Sequence, residues 1–224
     1  MKQKWYKTKR FYASLSMVLL ASIILAIAAW PKAAFTEHNE RRDQVLQKYF
    51  TPESIAKLST VPLRVGESGA QAYGGLSVGN DIGSRIAAFW WCYPWERQVL
   101  VTHPQPVDRV IFHEYVHQAD YFGLIPREAF VAALARLKED PAYGEQVRAR
   151  ERNIVQAYSA NIYGKLALWY DDGLTREMVA HLSTDWAFRD ADWPPYFLKV
   201  YDQALKITEK PPTAGQARKN AEEK

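Results

Sequence analysis

The sequence holds a single cysteine, Cys92, among 224 residues. No disulfide can form within the chain, and the redox compartment stays open. No charged group flanks Cys92 closely enough to activate it, so a buried, inert thiol is expected rather than cysteine catalysis. A basic body is also missing. The formal charge is +4, but Lys2, Lys4, Lys7, Lys9 and Arg10 leave residues 11–224 at −1. So neutral a body gives no reason to expect a nucleic-acid partner. No internal repeat is present. The glycine-rich passage 66–83 is followed by no Gly-Lys-Ser/Thr, which argues against a phosphate loop. Turns and a flexible rim around a groove are expected there instead.

One long apolar run is present, residues 11–30, which contains no charge. Twenty residues at about 1.5 Å each span a bilayer core of about 30 Å. Phe11, Tyr12 and Trp30 stand at its ends, where amphipathic rings settle at headgroups. The five preceding cations predict a cytoplasmic N-terminus at residues 1–10 and an extracytoplasmic remainder, periplasmic or extracellular. An uncleaved transmembrane anchor is the expected reading. The rival is a signal peptide cleaved after Ala26-Ile27-Ala28, although its apolar region would be unusually long. Residues 31–36 then read as a linker, 37–208 as one folded domain and 209–224 as a disordered tail. The eight tryptophans and thirteen tyrosines fit an aromatic-lined groove or simply core packing.

Within the domain, residues 37–50 have helical apolar spacing. Thr51-Pro52-Glu53 predicts a capped helix through Leu58. A strand is expected over 61–65. A β-hairpin is expected from 85–93 and 98–102, with Val99-Leu100-Val101 as its second strand. Pro104 and Pro106 end it, and a helix starts near Val107. Further helices are predicted over 127–139 (Phe130, Val131, Leu134 and Leu137 on one face), 151–168 (Ile154, Val155, Tyr158, Ile162 and Leu166 inside), 175–185 with Thr175 as cap, and 196–207.

The chemistry centres on Val110-Ile-Phe-His113-Glu114-Tyr-Val-His117-Gln-Ala-Asp120. Two histidines four positions apart on a helix point the same way and can share one zinc ion at about 2.0–2.1 Å. Glu114 is placed to take the proton of a metal-bound water. This segment resembles the active-site helix of the zincin metallopeptidases, whose signature is His-Glu-x-x-His. The resemblance implies an α+β domain with a small mixed or antiparallel sheet over the active-site helix and a helical C-terminal lobe. It also implies a cleft-edge strand, around 89–101 here, to which a peptide or protein substrate adds as a further strand.

Catalytic zinc usually takes three protein ligands and a water. The metzincin continuation would need Gly at 120 and His at 123, where Asp120 and Gly123 stand, so the resemblance is to the gluzincin type, with a carboxylate as third ligand. Glu177 is the leading candidate, with His181 one turn later on the same face supporting the site. Glu151 is second and Asp120 a weaker third. A narrower similarity, over roughly residues 85–190, is to the catalytic domain of anthrax lethal factor. It rests on Asp120, Asn161-Ile-Tyr163-Gly164, Glu177 and Ser183-Thr184-Asp185, with a longer Tyr163-to-Glu177 spacing here.

Tyr163 or His181 would steady the oxyanion, with Tyr158 and Tyr170 as alternatives. The expected function is therefore a membrane-anchored zinc metallopeptidase with Glu114 as general base. A non-catalytic binding protein on the same scaffold and a hydrolase of non-peptide amides are the alternatives.

Overall fold

A computed structural model describes residues 35–66, 75–78, 98–101, 108–159 and 172–207, together with Lys165 and Leu168. The fold is mixed α+β and mostly helical. Strand β1 (Phe35–Glu37) leads into helix α1 (Asn39–Tyr49) and the short α2 (Pro52–Leu58). The start of α2 is built as the sequence predicts. Thr51 accepts a hydrogen bond from the Ser54 amide, and Pro52 takes the first helical position, where its missing N–H costs nothing.

Strands β2 (Leu63–Gly66), β3 (Gly75–Val78) and β4 (Gln98–Val101) complete a four-stranded sheet in the order β1-β2-β4-β3. β1 and β2 are antiparallel, β2 and β4 parallel, and β4 and β3 antiparallel. This corrects the hairpin expectation. The antiparallel partner of Gln98–Val101 lies in the glycine-rich passage, at Gly75–Val78, while residues 85–93 fall outside the described residues. Leu76-Ser77-Val78 alternates as a strand should, but the flanking glycines hid so short a run. The pairing also corrects the cleft edge. β4 is buried and bonded on both sides, so among the described residues the outer strands of the sheet are β1 and β3.

Among the described residues five further helices are bounded: α3 (Asp108–Tyr121), α4 (Arg127–Glu139), α5 (Gly144–Tyr158), α6 (Gly173–Ala187) and α7 (Pro195–Leu198). α3 carries the histidine motif and lies against β3, β4 and α6. It ends at Gly123, whose φ of +68° closes the helix where a β-carbon would be strained. One face of α3 fills the core with Ile111, Phe112, Tyr115, Val116 and Ala119, each 0% exposed. The buried Tyr115 hydroxyl donates to the carbonyl of Val61 at 2.7 Å, tying α3 to the entry of β2. Tyr49, Phe50 and Phe188 stack around Phe112. A single core cluster runs from Val45 to Leu205.

The helical lobe departs from expectation at several boundaries. α5 begins at Gly144, seven residues before Glu151. The polar stretch that suggested a connection instead contains the helix start, and Val147 buries there together with Ile154. Only glycine fits at 144, because a β-carbon would stand 2.4 Å from the Lys138 carbonyl oxygen. Val131 and Val155, expected inside, are 46% and 39% exposed.

α6 starts at Gly173 after Asp172, which holds a left-handed φ of 59°. Thr175 is therefore not the cap; its hydroxyl donates to Asp172 Oδ1 at 2.7 Å from within the first turn. The expected last helix over 196–207 is one turn, α7, then a 3-10 turn at Lys199–Tyr201 and an isolated bridge from Leu205 to Phe50. Among the described residues no helix is long and apolar enough to cross a membrane. Residues 11–30 and the tail 209–224 lie outside them.

Candidate metal centre

Four residues make about one helical turn, so α3 presents His113 and His117 on one face, and α6 does the same with Glu177 and His181. The two helices run antiparallel. Arg109 at the start of α3 meets Asp185 near the end of α6, His113 meets His181, and His117 meets Glu177. At the far end Arg127 bridges Asp120 to Asp172. Each turn forward along α3 is thus matched by a turn back along α6.

The Glu177 carboxylate sits at the centre. Its Oε1 lies 3.5 Å from His117 Nε2, and its Oε2 lies 3.6 Å from His113 Nε2 and 3.7 Å from His181 Nε2. The His113 ring centroid is 4.9 Å from that of His117 and 4.6 Å from that of His181. Glu177 Oε2 is fully buried yet accepts no hydrogen bond among the described residues. An orphaned buried carboxylate oxygen is costly, so a partner is expected there.

The spacing fits a metal ion. An ion bonding at about 2.0–2.1 Å in tetrahedral geometry holds neighbouring donors roughly 3.3–3.4 Å apart. The observed separations of 3.5–3.7 Å are long for hydrogen bonds and close to those edges. The donor atoms of His113, Glu177 and His181 all lie within 4.8 Å of one another, a group that includes His181 and not His117, which meets the other carboxylate oxygen.

The electrostatics suit such a donor set. Burial opposes ionisation of Glu177, but His117, His113 and a hydrogen bond from Tyr158 outweigh it and bring the pKa to about 2. Burial lowers His117 to about 4 and His181 to about 3, with the neighbouring His113 adding to both effects. Burial also pulls His113 down, yet the carboxylates of Glu177 and Glu114 more than offset it, so its pKa is raised. Glu114 is 6% exposed, and its charge is felt at both His113 and Tyr158. Burial, then the Glu177 charge and hydrogen bond, pushes the Tyr158 phenol far above its usual range, which keeps it a proton donor.

Thr184 sits beside the same cluster. Its hydroxyl donates to the Ala180 carbonyl at 2.6 Å, and its Oγ1 lies 3.5 Å from His113 Nδ1. With its proton committed to Ala180, Thr184 can only accept from Nδ1–H, which leaves the Nε2 lone pair of His113 facing the centre. The next residue, Asp185, accepts from Nε and Nη2 of Arg150, at 2.8 and 2.7 Å, and also pairs with Arg109.

Of the residues singled out in the sequence, His113, Glu114, His117, Glu177 and His181 come together. Glu151 does not; it pairs with Lys138 at 2.8 Å, out on α5. Asp120 is taken by Arg127 rather than by the histidines. Tyr163 and Tyr170 lie outside the described residues. Among the described residues, the tyrosine that reaches the site is Tyr158, from the end of α5 and one turn after the buried Ile154. Thr184, Arg109 and Arg150 drew no role from the sequence, although Thr184 stands two turns beyond Glu177 and Arg109 one turn before His113. Comparison with protein-family models, with curated proteins and with solved structures returns no match, so the functional reading rests on these side chains themselves.

Proposed function

We propose that the chain is a zinc-dependent peptidase, of the gluzincin type that its motif resembles. The observation that carries this reading is Glu177, whose buried carboxylate faces His113 and His117 at separations suited to a shared ion. His113, His117 and Glu177 would hold the zinc, which when bound supplies a lowered water pKa and polarisation of the scissile carbonyl.

Glu114 then acts as general base. It takes the proton of the attacking water and returns it to the amide nitrogen as the C–N bond breaks, leaving a carboxylate and an amine. Its near-complete burial strengthens this role by keeping bulk water away from the carboxylate. Tyr158, held protonated and hydrogen-bonded at Glu177, is the described tyrosine best placed to donate to the developing oxyanion, with Tyr163 the other candidate. His181 belongs to the same cluster. An extended peptide would add along the side of β3 away from β4, β3 itself lying against α3. Residues 11–30 would anchor the domain outside the cytoplasmic membrane.

The test is Glu114→Gln in the full-length protein. It should keep stoichiometric zinc by metal analysis while cleavage of a peptide library falls by about 10²–10⁴-fold. Wild-type-like cleavage in this variant would remove Glu114 as base.

A further inference from the structure

His181 is more than a neighbour of the proposed zinc ligands. Its Nε2 stands as close to Glu177 Oε2 as His113 Nε2 does, 3.7 against 3.6 Å. The Glu177 carboxylate therefore divides its work, with Oε1 toward His117 and Oε2 toward both His113 and His181. One donor set, His113, Glu177 and His181, has all its ligand atoms within 4.8 Å of one another, and His117 approaches the other oxygen of the same carboxylate at 3.5 Å. Taken together they supply three imidazoles and a carboxylate, enough to fill a tetrahedral shell with no water in it.

A closed shell of that kind belongs to structural zinc, whereas catalysis needs one open position. The four side chains differ in how firmly they are enclosed. Those of His117, Glu177 and His113 are 9%, 14% and 15% exposed, while that of His181 is 31% exposed. Thr184 holds His113 by its other nitrogen and Tyr158 holds Glu177, and α3 itself is fixed by its buried face. His181 is the donor nearest solvent, so an incoming ligand reaches its position first.

We infer that His181 is a displaceable fourth metal ligand. It closes the shell in the resting protein and yields its place to a ligand entering from solvent. This rests on the zinc reading proposed above. In the resting state the fourth position is an imidazole rather than a water, which restrains idle hydrolysis. Occupation by a substrate carbonyl or another oxygen donor swings the His181 ring outward about its side-chain torsions, and no backbone movement is required.

X-ray absorption of the zinc-loaded full-length chain, which counts imidazole ligands directly, tests the inference. Wild type should show three imidazoles, and His181→Ala two, with zinc held about tenfold more weakly. His181→Gln, which keeps bulk with a poor donor, should match His181→Ala and guards against a folding defect. Adding acetohydroxamate, an oxygen chelator of zinc, should reduce wild type from three imidazoles to two. The same probe should bind His181→Ala about tenfold tighter, the gain expected if the closed state holds roughly nine-tenths of the molecules.

Two imidazoles in wild type, unchanged in both variants, would overturn the inference while leaving a His113, His117 and Glu177 centre intact. Three imidazoles that persist under acetohydroxamate would make His181 a fixed ligand and overturn its displacement. Absence of stoichiometric zinc in wild type would overturn the inference and the zinc reading together.

Discussion

Helices α3 and α6 are near twins in form and unequal in content. They have 14 and 15 residues, run antiparallel, and each gives the site two side chains one turn apart. Both bury their opposite faces, α3 through Phe112 and Tyr115 and α6 through Val179 and Leu182. Yet α3 carries the residue proposed to handle the proton, Glu114. The later turns of α6 carry the supports, Thr184 against His113 and Asp185 against Arg109 and Arg150. One helix brings reagents and the other sets their spacing. Ion pairs at both ends, Arg109 with Asp185 and Arg127 with Asp120 and Asp172, fix the register between them.

This division is open to attack, beginning with the strongest effect. Glu177→Ala removes the carboxylate that faces both histidines of α3, so zinc content by metal analysis should fall to background. Glu151→Ala should leave it unchanged, since Glu151 is engaged with Lys138. Equal loss in both variants would dissolve the distinction between the two glutamates and remove Glu177 as the contribution of α6.

Next comes the register. Asp185 is 3% exposed and holds two arginines that are themselves partly solvated. Asp185→Asn should cost about 2–4 kcal/mol in denaturant unfolding, somewhat below the loss of a fully buried pair. It should also weaken zinc, because the α3–α6 spacing loosens. A stability loss with unaltered zinc affinity would make Asp185 a strut without bearing on the site.

A smaller effect is expected from Thr184→Val, which keeps the shape and deletes the acceptor for His113 Nδ1–H. Zinc affinity by competition with a chromophoric chelator should drop about tenfold. Thr184→Ser should restore it, and a failure of serine to rescue would assign the threonine to packing alone.

The mildest perturbation is pH. In the metal-free protein His117 is lowered from 6.5 to about 4, so over that range the unfolded chain binds a proton that the folded one refuses. Its contribution is complete above pH 6.5 and lost as pH falls toward 4. His181 acts in the same sense down to about 3, and Glu177, lowered from 4.5 to about 2, adds a loss below 4.5. His113, being raised, works oppositely: its contribution is present below 6.5 and lost as pH rises through its folded value. Thermal unfolding should therefore move to lower temperature on acidification below pH 6.5, and His117→Gln should flatten that slope. An unchanged slope would place the acid sensitivity elsewhere.

Much of α3 was legible in advance, because its information is local. His113, Glu114 and His117 fall within five residues, and helical geometry alone puts the two histidines together. The short α2 was legible for the same reason, through Thr51 and Pro52. Glu177 could be ranked first through its own spacing to His181, but nothing local separated it from Glu151, an equally ordinary helix glutamate. The structure places Glu177 beside the motif histidines and pairs Glu151 with Lys138. Tyr158 stood only as an alternative to Tyr163, because which tyrosine reaches Glu177 depends on where α5 ends against α6. The antiparallel partner of β4 was missed because β3 is four residues long and framed by glycines, too short for alternation to stand out.

By itself, then, the sequence determined the donor types, the turn-long spacing within each helix and the α+β class, since these follow from periodicities within one element. Only the tertiary structure decided that α6 runs antiparallel to α3 in the register that sets Glu177 between His113, His117 and His181. It also decided that β3 pairs with β4 and that Thr184 and Tyr158 stand beside the candidate ligands. Those facts depend on contacts between residues 60 or more positions apart in the case of the zinc candidates. Such contacts are selected by how whole faces bury together, and no short window of residues records them.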